Sequence, residues 1–425
     1  MLMPRLVIGA LPSERSKGER LCIAPNRSLM KQSLAALRDT DALGGADSKY
    51  ENLFSHVPVF VSAVDMAQIK RVVQAVEAAA KLLGYYNAVL SYAPDVAHYD
   101  PGPAGVFMGY DFHLNGDGPQ LIEVNTNAGG AFLVDLQVRT WSACCAPAQD
   151  TVSLPQVHDF ENNVMQMFRA EWARQRGQGG PSRIAIIDDD PRGQFMYPEF
   201  LLAQRAFERH GVEALILAPE FLVYKNRRLF AGDKPIDLVY NRLVDFALAL
   251  PSHAALRAAY LDGSVVVTPN PHVHALLANK RNLTFLSDPD TLRGWGLDED
   301  HTAALRSAVP RTTLVMAENA DALWEKRRNL FFKPATGHGS KAVYRGSKLT
   351  KGVWAEIVNG DYVAQSFTAP EQRIIEIDGC GIRLKADLRL YTYTGKVLFA
   401  AARLYQGQAT NFRTRGGGFA PVFGI

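Results

Sequence analysis

The sequence predicts an α/β protein of more than one packed unit. Three observations lead there: residues 183–270 alternate short apolar runs with an amphipathic helix, the residues before them carry mainly helical periods, and those after them are rich in strand-length apolar runs. At 425 residues the chain has room for two or three domains, and 47% hydrophobic with 21% charged residues is a globular balance. A net charge of +3 is far from the dense basic face that nucleic acid requires, so DNA and RNA are set aside as partners. The N-terminal run LVIGAL reaches only six residues before charges follow, and no stretch stays apolar for eighteen, so no membrane partner is expected. Cys22, Cys144, Cys145 and Cys380 form no CxxC pair, which fits a reducing compartment and a cytoplasmic protein.

Taken in order, the elements divide into three regions. In residues 1–175, SLMKQSLAALRD and AQIKRVVQAVEAAAKLLG repeat apolar residues every three or four positions, the second run being stopped by Gly84. GVFMGYDFHL and QLIEVN, on either side of the polar turn NGDGP, read as a hairpin that brings Asp111 near Glu123. RQRGQGGPS breaks the composition and marks the first boundary. In residues 176–270, RIAII, VEALIL and IDLVYN are buried strands and FLLAQRAFERHG is a helix ended by Gly211. The turn after the first strand is DDDPRGQ and lacks a GxGxxG fingerprint, so a dinucleotide fold has no support. Acids in that position ordinarily cap the next helix. Residues 271–425 open with a helical stretch carrying Lys280 and continue as strands such as NLFFKPA, DYVAQSF and DLRLYTYTGKVLFAAARLY.

The chemistry-bearing residues sit at strand ends. FFKPATGHGS puts Lys333 at the end of an apolar strand and follows it with Gly337, His338, Gly339 and Ser340, a small-residue loop able to turn backbone N–H groups toward a phosphate. It is no Walker A loop, because the lysine precedes the glycines. Gln365, Ser366 and Phe367 end a strand whose backbone could meet an adenine edge. Asp387 and Arg389 share a strand face at period two, and Arg403, Arg413 and Arg415 cluster near a triple glycine, suited to phosphoryl or carboxylate oxygens. Asn241 and Arg242 follow a buried strand at the carboxyl edge where open α/β sheets bind ligands. His272 and His274, two apart, lack helical metal-ligand spacing and read as structural, and Trp141 with Cys144 and Cys145 reads as helix packing.

Lysine, lysine with a glycine loop, linker strand, Asp-x-Arg strand, and a preceding Glu-x-Asn strand: this set resembles the ATP-grasp superfamily of ATP-dependent carboxylate–amine ligases. The Glu-x-Asn segment comes first here, an order similar to the circularly permuted members, in particular the eukaryotic-type glutathione synthetases. The likeness is specific over YDFHLNGDGPQLIEVNTNAGG and weak across residues 140–270. It implies an ATP-grasp fold of permuted segment order beside an open parallel α/β substrate-side domain, with ATP and Mg²⁺ as cofactors. Glu123 and Asn125 would be magnesium ligands, with Asp111 and Asp387 as further candidates. Lys280, Lys333, the loop 337–340 and residues 365–367 would hold the nucleotide. Arg389, Arg413 and Arg415 would act on the transferring phosphoryl group, and Asn127, Asn241 and Arg242 would face substrate. The activity implied is amide formation on an amino acid or small peptide through an acylphosphate, in a chain that could be a homodimer. A phosphotransferase using the same clamp and a non-catalytic nucleotide-binding protein are the alternatives. One departure stands out: the glycine loop TGHGS lacks the metal-binding glutamate of the permuted synthetases, so either Asp111 supplies that ligand or the metal site is poorer.

Overall fold

The computed structural model describes residues 23–25, 32, 50, 52–55, 57–143, 159–336, 342–377, 380–408 and 410–424. The expected helix over SLMKQSLAALRD, the loop residues Gly337, His338, Gly339 and Ser340, and Cys144 and Cys145 lie outside the described residues, apart from Gln32.

The largest sheet gathers strands from both ends of the chain. β1 (Val59–Val61), β2 (Met108–Asn115) and β3 (Gly118–Asn125) come from its first third. Between β1 and β2 run α1 (Ala63–Ala79) and α2 (Leu83–Leu90), and after β3 come α3 (Ala131–Arg139) and α4 (Phe160–Arg176). The parallel layer consists of β4 (Arg183–Ile187), α5 (Tyr197–Arg209), β5 (Glu213–Leu217), β6 (Leu238–Asn241) and β7 (Val266–Thr268). A small antiparallel sheet has β8 (Thr312–Leu314), β9 (Leu330–Pro334), β10 (Tyr344–Arg345) and β11 (Tyr362–Ser366) in the order β8-β11-β9-β10. β12 (Glu371–Ile377), β13 (Cys380–Tyr393), β14 (Lys396–Tyr405) and β15 (Gly418–Gly424) complete the large sheet in the order β1-β15-β14-β13-β2-β3. β13 is long enough for two neighbours on one edge: residues 380–386 pair with β12 and residues 387–392 with β2.

The β2–β3 hairpin forms with a two-residue turn, Gly116–Asp117, tighter than the five-residue turn expected. Apolar residues of α1 at positions 69, 72, 73 and 76 pack it onto the large sheet, and Ser62 caps its first turn by accepting the Asp65 amide at 3.1 Å. Gly84 does not end this helix. α1 stops at Ala79, and Gly84 lies inside α2, where a Cβ would come 2.2 Å from Trp295 Cδ1. The glycine serves close packing of an indole, a demand that helix punctuation does not reveal.

In the parallel layer the order is β7-β6-β4-β5, all strands running the same way. Its strands are mainly apolar, and the central β4 and β6 are buried along nearly their whole length because helices and neighbouring elements cover both faces. Between β5 and β6 stands an unanticipated antiparallel meander, Leu222–Lys225, Arg228–Ala231 and Lys234–Ile236. Its first turn holds Asn226 and Arg227 at positive φ of 51° and 56°, the backbone of a primed hairpin turn. Trp141 belongs to a short strand paired with Ile23–Pro25 rather than to a helix. Among the described residues no helix is long and apolar enough to cross a membrane.

Candidate functional site

A cleft of about 900 Å³ opens where the large sheet, the small sheet and the carboxyl ends of the parallel strands meet. Its floor follows from strand register. A bulge between Asp111 and Phe112 sets Asp111 opposite Glu123, and β13 places Arg389 opposite Asp111 and Asp387 opposite His113. β14 then sets Arg403 opposite Asp387. Directly opposed residues share a face, so these six side chains form one charged surface looking into the cleft.

Asp111 is buried and gripped by two guanidinium groups. Arg389 donates from Nε and Nη2 to its two oxygens, both at 2.6 Å, and Arg403 adds a third bond at 2.8 Å. Burial alone would raise the Asp111 pKa, but Arg389 and Arg403 outweigh it and hold the carboxyl below its usual range. Glu123 behaves alike: burial pushes its pKa up, Lys280 and Lys333 pull it further down, and the net direction is down. Lys280 Nζ lies 3.6 Å from Glu123 Oε2, and the Lys280 amide is anchored to the Ala335 carbonyl at the end of β9. Lys280 occupies the turn before the helix Asn282–Leu286, not a helix itself. Asn125 donates its amide nitrogen to Asp111 at 3.1 Å and to Glu123 at 3.3 Å, leaving its carbonyl oxygen as the atom to offer a cation.

Lys333 is buried, with its ammonium bonded to the Ile122 carbonyl at 3.0 Å and to Gln365 Oε1 at 2.8 Å. Desolvation brings its pKa down to about 8, against the opposing pull of Glu123. Beside it Phe331 and Phe367 stack at 6.3 Å, and the Arg345 guanidinium sits 4.2 Å from the Phe367 ring, giving the cleft a flat apolar slot. The Ser366 and Phe367 amides, expected to read an adenine, donate instead to the carbonyls of Arg311 and Asn329 at 2.8 Å each. What those residues offer a ligand is therefore side-chain surface and carbonyl oxygen. Asp387 accepts from Tyr405 at 2.9 Å and Thr410 at 2.5 Å, with His113 Nε2 at 3.1 Å. Burial pushes its pKa up, and His113, with Arg403 and Thr410, brings it below the usual carboxylate range.

Other expected residues lie elsewhere. Arg413 and Arg415 are exposed and outside the cleft wall, whereas Arg403, from the same stretch, is in it. Asn241 braces its own loop, donating to Pro269 and accepting from Leu243, and Arg242 turns into the core between the Phe200 and Tyr240 rings, 3.7 Å from Glu199. Neither lines the cleft, because the residue after a buried strand whose side chain points back beneath the sheet cannot reach its mouth. Asn127 does line it. Residues not anticipated for the site include Asp188, Asp189 and Asp190, together with Phe246, which stacks on His274 at 3.6 Å and 7°. Burial, then Lys280, lowers the His274 pKa to about 3, so the ring is neutral beside Thr126.

Neither the protein-family models nor the curated proteins contain a match to this chain. Solved structures do match. A glutathione synthetase-like effector from Globodera pallida, in its apo form, superposes with a TM-score of 0.55 at 13% identity, covering 94% of this chain and 97% of the effector. A putative gamma-glutamylcysteine synthetase from Methylobacillus flagellatus aligns over 84% of this chain and 87% of its own, with a TM-score of 0.47 and 12% identity. The protein has an ATP-grasp-like α/β fold.

Proposed function

We propose that this chain is an ATP-dependent carboxylate–amine ligase of permuted ATP-grasp order, forming an amide through an acylphosphate in the cytoplasm. One observation carries the reading. Residues far apart in the chain, Glu123 and Asn125 on one hairpin and Lys280, Lys333, Asp387, Arg389 and Arg403 from the region after residue 271, converge in a single cleft. A core needs no such convergence of buried charge, whereas positioning a polyphosphate beside a carboxylate does.

The donor set fits magnesium in a restricted way. Among the described residues no three His, Cys, Asp or Glu side chains group as a metal cage, and the oxygens of Asp111 are taken by guanidinium. The Glu123 carboxylate and the Asn125 carbonyl remain, and two hard oxygens completed by phosphate and water suit Mg²⁺. Bound there, the ion would neutralise charge on the nucleotide's phosphates. Lys280 and Lys333 would contact those phosphates, and the Phe331–Phe367 slot would take the base. Arg389 and Arg403 would hold the substrate carboxylate in line with the γ-phosphoryl group. Carboxylate oxygen then bonds to phosphorus as the bond to ADP breaks; the amine nitrogen next bonds to the acyl carbon, phosphate leaves, and the nitrogen releases its proton to solvent. Asp111 has a positioning role here, fixing both arginines across the sheet.

ADP release from Mg²⁺-ATP, measured across amino acids, dipeptides and amines, tests this, with Glu123→Ala as the blank. Release requiring both a carboxylate and an amine is expected, abolished in the blank with its fold intact. Release with a carboxylate alone, after excluding hydrolysis of an acylphosphate, would replace the ligase by a phosphotransferase. Full turnover in Glu123→Ala would remove the metal assignment.

A further inference from the structure

The cleft is divided by charge. Among the described residues, every lysine and arginine in its wall, namely Lys280, Lys333, Arg345, Lys385, Arg389 and Arg403, belongs to the sequence after residue 271. The parallel layer contributes no cation to the wall but three consecutive carboxylates, Asp188, Asp189 and Asp190, with the apolar side chains of Val244 and Phe246.

Topology explains why a ligand would sit there. In the order β7-β6-β4-β5 the chain leaves β4 toward β5 on one side and returns to β6 on the other, so the strand order reverses between β4 and β6. Open parallel sheets bind ligands at the carboxyl ends of strands at that reversal. Asp188 directly follows β4, and Val244 and Phe246 lie just beyond β6, so the three acids and the apolar pair flank this point.

A second observation specifies the kind of group that fits. Asn127, in the cleft wall, donates its Nδ2 to the Leu243 carbonyl, while its buried Oδ1 accepts no hydrogen bond. A buried carbonyl oxygen without a donor is destabilising, and an ammonium N–H is a donor that satisfies it. The carboxylates are partly engaged already. Asp188 accepts the Asp190 amide and the Gln194 side chain, with Arg242 nearby; Asp189 meets His253 at 2.6 Å; Asp190 accepts the Gly193 amide at 3.1 Å. His253 is in turn shared with Asp245 at 2.9 Å. Arg242 and His253 are fewer than the acids they face, so this end of the cleft stays anionic. Val244, 38% exposed, adds apolar surface to the same cleft wall.

We infer that the amine substrate is dicationic: a linear primary amine whose second positive charge is held by Asp189 and Asp190 and whose methylene spacer lies on Val244 and Phe246. The inference rests on the ligase reading above. The cationic half of the cleft holds nucleotide and carboxylate; the anionic half draws in an acceptor of opposite charge and disfavours zwitterions and anions.

Calorimetry on the full chain, with Mg²⁺ and a non-hydrolysable ATP analogue, tests it using 1,4-diaminobutane, n-butylamine and 4-aminobutanoate as probes. The diamine should bind at least about tenfold more tightly than butylamine, with 4-aminobutanoate weakest. Asp189→Asn and Asp190→Asn should each weaken the diamine roughly three- to tenfold, the partial exposure of Asp189 setting the lower figure, and leave analogue affinity unchanged. Equal affinity for diamine and butylamine, tighter binding of 4-aminobutanoate, no amine binding at millimolar concentration, or an unaltered diamine affinity in both variants would overturn the inference. The titration of the analogue itself separates the two levels: a chain that binds no nucleotide sinks the ligase, and one that binds nucleotide but does not prefer the diamine sinks only the dicationic acceptor.

Discussion

Lys333→Met separates what this lysine does for the nucleotide from what it does for the fold. Burial has moved the ammonium from an ordinary pKa of 10.5 to about 8, so keeping it charged at pH 7 costs the native state about 3 kcal/mol. Methionine keeps the unbranched apolar stem and removes that cost. It also strips the Ile122 carbonyl and Gln365 Oε1 of their donor, which costs about 1–3 kcal/mol for each. The two effects offset, and a thermal midpoint within a few degrees of the parent is expected. Nucleotide affinity should not survive: a charge-assisted bond to phosphate contributes about 1.5–3 kcal/mol, so binding of an ATP analogue should weaken by about ten- to a hundredfold. The parent protein supplies a second readout. A group whose folded pKa is depressed below its unfolded value binds fewer protons when folded, so between pH 8 and 10.5 this lysine makes stability rise with pH. Nucleotide binding changes the opposite way, since phosphate needs the ammonium: affinity should fall toward tenfold per pH unit above 8, and this dependence should vanish in Lys333→Met. Calorimetric affinities across pH 7–9.5 decide it. Equal affinity in the variant, or a parent curve flat through pH 8, would refute the assignment of Lys333 to the nucleotide.

Asp111→Asn leaves the guanidinium groups of Arg389 and Arg403 buried without their shared carboxylate, and a loss of about 3–5 kcal/mol is expected in thermal or denaturant unfolding; a shift under 1 kcal/mol would show the grip to be dispensable. Gly84→Ala should destabilise by about 1–3 kcal/mol through the Trp295 contact, and Trp295→Leu in the same chain should recover part of the loss, whereas additive losses would place the strain elsewhere.

What the sequence disclosed was local. The β2–β3 hairpin, with Asp111, Glu123 and Asn125, could be read because two apolar runs flank one polar turn within twenty positions, though the turn proved tighter than the five residues read for it. The four parallel strands were legible in part: three announce themselves as apolar runs, while the meander over 222–236 hid in a polar stretch whose turn, Asn226–Arg227, lacks the glycine that usually signals it. The site was legible where charge sits at a strand end, as at Lys333, and illegible where it depends on pairing between distant strands. Choosing Arg403 over Arg413 and Arg415 requires knowing that β14 sets Arg403 against Asp387. Period two offered a clue, since Arg403 lies in the apolar strand and the other two follow it in a glycine-rich loop. Arg242 misled because a residue at a strand's carboxyl edge can turn either to the mouth or beneath the sheet, and only the Phe200 and Tyr240 rings decide which. The acids at 188–190 read first as helix caps, and the cleft they line is visible only in three dimensions.

The seating of the Glu-x-Asn hairpin against β13 sets a schedule for biosynthesis. β2 leaves the ribosome with one edge satisfied by β3, but the strand that covers its other edge begins at Cys380, about 255 residues after Asn125. At translation rates of about 5–20 residues per second, that edge waits on the order of 10–50 s for its partner. Throughout that interval Asp111 has neither Arg389 nor Arg403, and a carboxylate without its cations resists burial. The nascent hairpin therefore stays hydrated, and the same unpaired acid that will later anchor two arginines guards an open strand edge against sticking to its neighbours.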